Sequence, residues 1–377
     1  MVTATNLTID KIGSRRLYGL RGAAILLVLW SHFGFDEFAF PLGPVAVRLF
    51  FILSGFHITL SFWKVMQEAA SSSGPGSKPL KPMALLKAFY LKRFLRIAPL
   101  YYGGLLIGAL MDFPSARHGL VWDGLFLTNV HILKLGNWPV STAHFWSLAV
   151  QEQFYLLWPV LLLLVGRRFF PALVSVSVAL GLFFRFYCQS HAINPLYHWV
   201  MLPGCWDSFM AGAVVAYLHA YRTAPDPERP RTRIRIFGAR AQDVVWLTLP
   251  FVLALAIYLS PPLSPVQFLC ETLEAVSLGA LIRRTIVDGG ALSNFFLEHR
   301  ALVHIGRTSY PLYVFQAFLY ILVWKRVVDY FGDNFTPLTA GISFVLVTAL
   351  GILVVSCVQR GAAALHRRFQ EAALAAF

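Results

Sequence analysis

Runs of about 20 apolar residues, separated by polar stretches, recur along the whole chain. A helix rising about 1.5 Å per residue needs roughly that length to cross a hydrocarbon layer of about 30 Å. Ten such runs fall near 17–35, 43–63, 97–112, 145–165, 170–188, 201–220, 243–260, 265–282, 309–324 and 337–358. The pattern predicts an all-α, polytopic integral membrane protein of about ten transmembrane helices. No stretch between the runs is long enough for a separate soluble unit, so we expect one membrane domain over 1–377 with no appended soluble domain. The first run is followed directly by a second and lacks a small-residue cleavage site, which marks a retained helix rather than a signal peptide.

Composition agrees: 57% of the 377 residues are hydrophobic and only 13% charged, about half the charged fraction of an ordinary soluble domain. The net charge of +14 would suit nucleic acid, but its distribution argues for a membrane instead. Of the 32 Lys and Arg, 25 lie at the two ends and in the even-numbered gaps, four in the odd-numbered gaps and three within the runs. Such alternation places the basic segments, here 66–96, 221–241 and both termini, in the cytoplasm, and implies an even number of crossings of a cytoplasmic (inner) membrane. The segment "SSSGPGSKP" (71–79) reads as a linker. The basic, aromatic stretch that follows (84–102) suits an interfacial helix drawn to anionic headgroups. The long non-cytoplasmic gap 113–143 has room for a short helix near 120–133. Four cysteines, Cys188, Cys205, Cys270 and Cys357, form no CxxC pair and no metal-ligand spacing, so they read as small apolar packing residues and no metal is expected.

Ionisable groups within the runs are costly and mark candidate function: Arg21, His32, Arg48, His57, Glu152, Arg185, Asp207, Glu271 and Glu274. Some of these should be structural pairs, and for Arg185 and His57 a structural role is the simpler reading. Arg21 and His32 differ. Eleven helical steps turn about 1100°, only about 20° beyond three full turns, so both side chains share a face about 16 Å apart. A cation at the cytoplasmic mouth and an imidazole deep in the bilayer suit one long ligand, such as an acyl thioester of coenzyme A. The cations would hold its phosphates bidentately. The histidine would act as general base on an acceptor hydroxyl. A transporter or exporter could string polar residues along a helix face in the same way.

"GLRGAAILLVLWSH" (19–32) resembles the first-helix signature of the membrane acyltransferase-3 family, an Arg and a His separated by ten residues. "LFFILSGFHIT" (49–59), "KRFLRIAPLYY" (92–102), "HFWSLAVQEQFYLLWP" (144–159) and "GRTSYPLYVFQ" (306–316) are similar to further family segments, in the same order. The resemblance implies an integral membrane O-acyltransferase. It would move an acyl group, usually acetyl, from cytoplasmic acyl-CoA to a hydroxyl of a glycan, lipid-linked sugar or glycosylated metabolite, without a permanently bound cofactor. By the same resemblance His32 matches the catalytic histidine and Arg21 its partner, while Arg93 and Arg96 match a basic pair that handles the donor. Glu152 matches the second of two glutamates and is placed to bind acceptor hydroxyls or orient an imidazole. His144, Trp146 and Ser147 open the same motif, and Trp146 and Tyr155 are candidate acceptor-stacking surfaces or packing residues. The chain departs from the pattern at Gln151, where the first glutamate is usual, at His57, where an apolar residue is common, and at Gln316, often a histidine.

Overall fold

The computed structural model describes residues 11–32, 42–72, 82–222, 239–287, 295–331 and 336–354. They form helices and connecting turns, with no strand among the described residues. In chain order the helices are α1 (Lys11–His32), α2 (Gly43–Ser72), α3 (Pro82–Leu110), α4 (Ala116–Gly124), α5 (Thr128–Leu135), α6 (Phe145–Val165), α7 (Phe170–Ser190), α8 (Pro195–Val200), α9 (Trp206–Arg222), α10 (Ala239–Leu259), α11 (Pro265–Val287), α12 (Arg300–Arg307), α13 (Ser309–Phe331) and α14 (Pro337–Val354).

Six of them, α2, α6, α7, α11, α13 and α14, contain stretches long and apolar enough to cross a membrane. The other four predicted runs are also helical. Among these, α1 and α3 carry more charge, and α9 has only 17 residues. Two expectations are corrected. The basic stretch at 84–96, expected as a loop leading into the third run, is the first half of α3, one unbroken helix of 29 residues. The predicted short helix near 120–133 is two helices, α4 and α5, divided where Phe126 takes a positive φ of 54°. Most of the 71–79 linker and of the basic segment 221–241 lies outside the described residues.

Lipid is as apolar as leucine, so close packing and polar contacts hold helices together in a membrane. The contact between α2 and α9 shows this directly. Gly55 abuts the carbonyl of Phe209 and Gly212 abuts that of Ile52, so a β-carbon at either position would strike the facing backbone. Beside this seam Phe209 stacks on Phe51 at 4.8 Å and on Phe154 of α6 at 4.2 Å, each pair adding about 0.5–1.5 kcal/mol beyond its area. Outward faces are the reverse: Val176, Leu180, Phe183 and Phe186 form an exposed apolar stripe on α7, as a helix facing lipid requires.

Candidate active site

A cavity of about 520 Å³ lies among α1, α2, α3, α6 and α13. Along α2 it runs from Val47 to Ser61, about 21 Å of helix. Arg21 of α1 and Arg93 and Arg96 of α3 all line it, together with His57, Gln151, Glu152 and Tyr155. The converging cations, with Glu152 the one lining carboxylate among the described residues, make the cavity electropositive. Their placement follows from helix geometry: Arg93 and Arg96 are three apart and so share a face of α3.

Polar neighbours fix these side chains. Arg21 donates from Nε and Nη2 to Ser309 Oγ, at 3.2 and 3.1 Å. The Arg93 guanidinium lies 3.2 Å above the centre of the Tyr155 ring, a cation–π contact. Arg93 Nε is buried and meets no acceptor among the described residues. Tyr155 donates to Ser54 Oγ at 2.7 Å. His57 and Glu152 lie within electrostatic reach of Arg93. Two sequence expectations are thereby redistributed. Tyr155, read as an acceptor-stacking candidate, lies under the Arg93 guanidinium, and Glu152 lines the same cavity as the three arginines.

His32 is not among the residues lining this cavity. It ends α1, is exposed, and pairs through Nδ1 with Gln316 Oε1 at 3.1 Å. With the amide oxygen turned to the ring, Nδ1 is the donor, and the other ring nitrogen, Nε2, is the candidate base. The expectation that the imidazole caps the tip of the cavity is corrected. Cavity and imidazole are separate features bridged by Ser147, Tyr313 and His144. Ser147 and Tyr313 line the cavity, their hydroxyls 2.6 Å apart, and Tyr313 donates to the His144 carbonyl at 2.8 Å. The His144 ring lies within electrostatic reach of His32 and donates from Nε2 to the Val314 carbonyl at 3.2 Å. Trp146 stands apart from all of these, edge-on to Phe51 and Trp138.

Helix α13 ties both ends of the Arg21–His32 face together, Ser309 at one end and Gln316 at the other, so α1 and α13 run parallel. Gln316 was marked in the sequence only as a departure from the family pattern, and Ser309 and Tyr313 were not singled out. The three fall at i, i+4 and i+7, a polar stripe on an apolar helix, and that spacing is the signal that reveals them.

The remaining intramembrane charges form a second buried group. Arg48 pairs with Glu271 at 3.0 Å and with Glu274. Arg185 pairs with Asp207 at 3.0 Å and with Glu271 at 3.6 Å, and His198 Nε2 lies 2.8 Å from Glu271. Arg185 also donates to the Gly204 carbonyl at 2.6 Å. Arg185 is thus held by buried partners and a neighbouring carbonyl, as its structural reading expects. No group of residues with metal-ligand geometry is found among the described residues.

No solved structure is significantly similar to the chain. Among curated proteins it is 28% identical over 181 residues to the peptidoglycan O-acetyltransferase OatA of Listeria monocytogenes, covering 44% of this chain and 26% of that protein. It is 29% identical over 174 residues to the acyltransferase MdmB of Streptomyces mycarofaciens, 40% of each chain. It is 24% identical over 202 residues to the putative peptidoglycan O-acetyltransferase YrhL of Bacillus subtilis, 48% of this chain and 28% of that one. The chain thus matches well under two thirds of the length of these relatives. The family model of the acyltransferase domain, in contrast, matches residues 15–358, nearly the whole chain, and the protein belongs to the acyltransferase-3 family.

Proposed function

We propose that the protein is a multi-pass O-acyltransferase of the cytoplasmic membrane, with ten crossings and both termini in the cytoplasm. In this reading it moves an acetyl or similar acyl group from cytoplasmic acyl-CoA to a hydroxyl of a glycan or glycosylated acceptor. The observation that carries the reading is the convergence of Arg21, Arg93 and Arg96 in one cavity with a single carboxylate. Like charges so gathered repel unless an anion joins them, and phosphate meets guanidinium bidentately. Family membership favours acyl transfer over the transport reading of the same helix face.

The proposed chemistry needs no metal. His32 Nε2 takes the proton of the acceptor hydroxyl, the oxygen attacks the thioester carbonyl carbon, the carbon–sulfur bond breaks, and the departing thiolate recovers the proton from the imidazolium. Arg21, Arg93 and Arg96 hold the donor, Arg93 being braced by Tyr155 and Glu152. The acyl end passes between Ser147, Tyr313 and His144 to meet His32, where the acceptor arrives from the side opposite the basic loops.

The test is acetyl transfer from radiolabelled acetyl-coenzyme A in membranes carrying the wild type or single variants. Arg93→Ala and Arg96→Ala should raise the donor concentration needed for half-maximal rate, and unchanged donor saturation would refute their assignment.

A further inference from the structure

A second, smaller cavity of about 270 Å³ lies beside the first and is lined by Arg15, Arg300, Val303, His304 and Arg307. No carboxylate lines it among the described residues. Glu298 is engaged by Arg16 at 2.8 Å, and its carbonyl accepts from Arg15 Nε and Nη2 at 3.2 and 2.9 Å. The two cavities share a wall, because Arg307 lines both. The Arg307 guanidinium lies 5.5 Å from the centre of the Tyr18 ring, and Tyr18 also lines the larger cavity.

The basic face is built, not incidental to a mobile loop. Arg300, His304 and Arg307 fall at i, i+4 and i+7 of α12 and so project together. The opposite side of α12 meets α1 backbone to backbone, Gly306 abutting the Tyr18 carbonyl so closely that a β-carbon would overlap it. This contact fixes the cations beside the entrance to the larger cavity.

We propose that Arg15, Arg300, His304 and Arg307 form a phosphate site at the mouth of the donor cavity. It takes the ribose 3′-phosphate of the acyl donor while Arg21, Arg93 and Arg96 take the diphosphate. This inference rests on the acyl-CoA reading. The headgroup of an anionic lipid offers the same phosphate chemistry, and the experiment separates the two sources.

The test uses the purified full chain in nanodiscs, with an Arg300→Gln/His304→Gln double variant and Arg117→Gln, a change outside both cavities, as the charge-matched control. Both altered residues are exposed, so folding should survive, as size-exclusion chromatography will verify. In zwitterionic discs the double variant should bind adenosine 3′,5′-bisphosphate about tenfold more weakly than wild type. It should also need about tenfold more acetyl-CoA for half-maximal rate at little-changed kcat. With the acetyl thioester of dephospho-coenzyme A, which lacks the 3′-phosphate, wild type and variant should coincide.

Equal binding of the bisphosphate by wild type and variant would overturn the site. So would an equal shift for both donors, or an effect seen only in discs containing phosphatidylglycerol, which would make this a headgroup site. Failure of the wild type to release thiol from acetyl-CoA strikes the acyl-transfer reading instead, and the bisphosphate binding arm still decides the site.

Discussion

Gln316 faces His32 where a histidine is more usual for the family, and the 3.1 Å contact gives that residue a definite task. By accepting from Nδ1 it fixes the tautomer that leaves Nε2 basic, as oriented imidazoles generally require. Gln316→Ala should therefore lower the transfer rate about tenfold while leaving donor saturation unchanged, and Gln316→Glu should keep most of the rate. Steady-state kinetics with acetyl-CoA as the varied substrate separates this from a donor defect. Ser309→Ala should do the opposite, since Ser309 Oγ is the acceptor that holds Arg21: donor saturation shifts and the maximal rate is retained. Arg21, His32, Arg93 and Arg96 could be picked out because each sits in a short local motif, and three of them line one cavity. The pairing of Arg21 with Ser309 and of His32 with Gln316 was not legible, because those contacts span more than 280 positions along the chain and leave no local trace.

At the scale of the helices, α2 is the wall between two charged interiors. One side presents Ser54 and His57 to the cationic cavity, while Arg48 enters the ion network with α11. A membrane interior tolerates such charges only when they are paired, and removing one partner of a buried pair costs about 3–5 kcal/mol. Arg48→Ala, which leaves Glu271 and Glu274 with one fewer cation between them, should lower stability by about that amount, read as a fall in the thermal unfolding midpoint in detergent. Arg48→Lys should restore part of it. Gln267, Glu271 and Glu274 again form an i, i+4, i+7 stripe, so the polar face of α11 was readable in the sequence, whereas its pairing with α2 and α7 was not.

Short helices α4 and α5 carry a pH-sensitive element of their own. Burial pushes the Asp123 carboxyl up to about 6, partly offset by a hydrogen bond from Thr128 Oγ1 at 2.7 Å. The folded state then holds the proton more tightly than the unfolded chain, so this contribution to stability is full below about pH 4 and is lost as pH rises through about 6. Asp123→Asn should flatten that part of the unfolding midpoint against pH between 4 and 7, while an unchanged profile would assign it to another group.

Over the whole molecule, hydropathy placed the helices because a bilayer imposes one length and one composition on every crossing. It misjudged α3, whose basic first half is helical, because four cations in the stretch 84–96 lower its hydropathy although two of them turn into a cavity. If the basic segments face the cytoplasm, as their charge alternation predicts, the proposed reaction has a direction: donor from the side of Arg15 and Arg307, acceptor from the side of His32. Cysteines introduced one at a time at 230 and 35 should label with an impermeant maleimide from opposite faces of sealed vesicles, and labelling from one face would contradict the topology.

The imidazole at the end of α1 is proposed to activate the acceptor hydroxyl for attack on an acyl group delivered by the arginine-lined cavity. This role is tested most directly by incubating membranes that contain equal amounts of wild-type or His32→Ala protein with radiolabelled acetyl-coenzyme A and following label into non-protein acceptors. The account predicts stable incorporation by the wild type and none above background for His32→Ala, with donor binding preserved. Substantial incorporation by His32→Ala would contradict it.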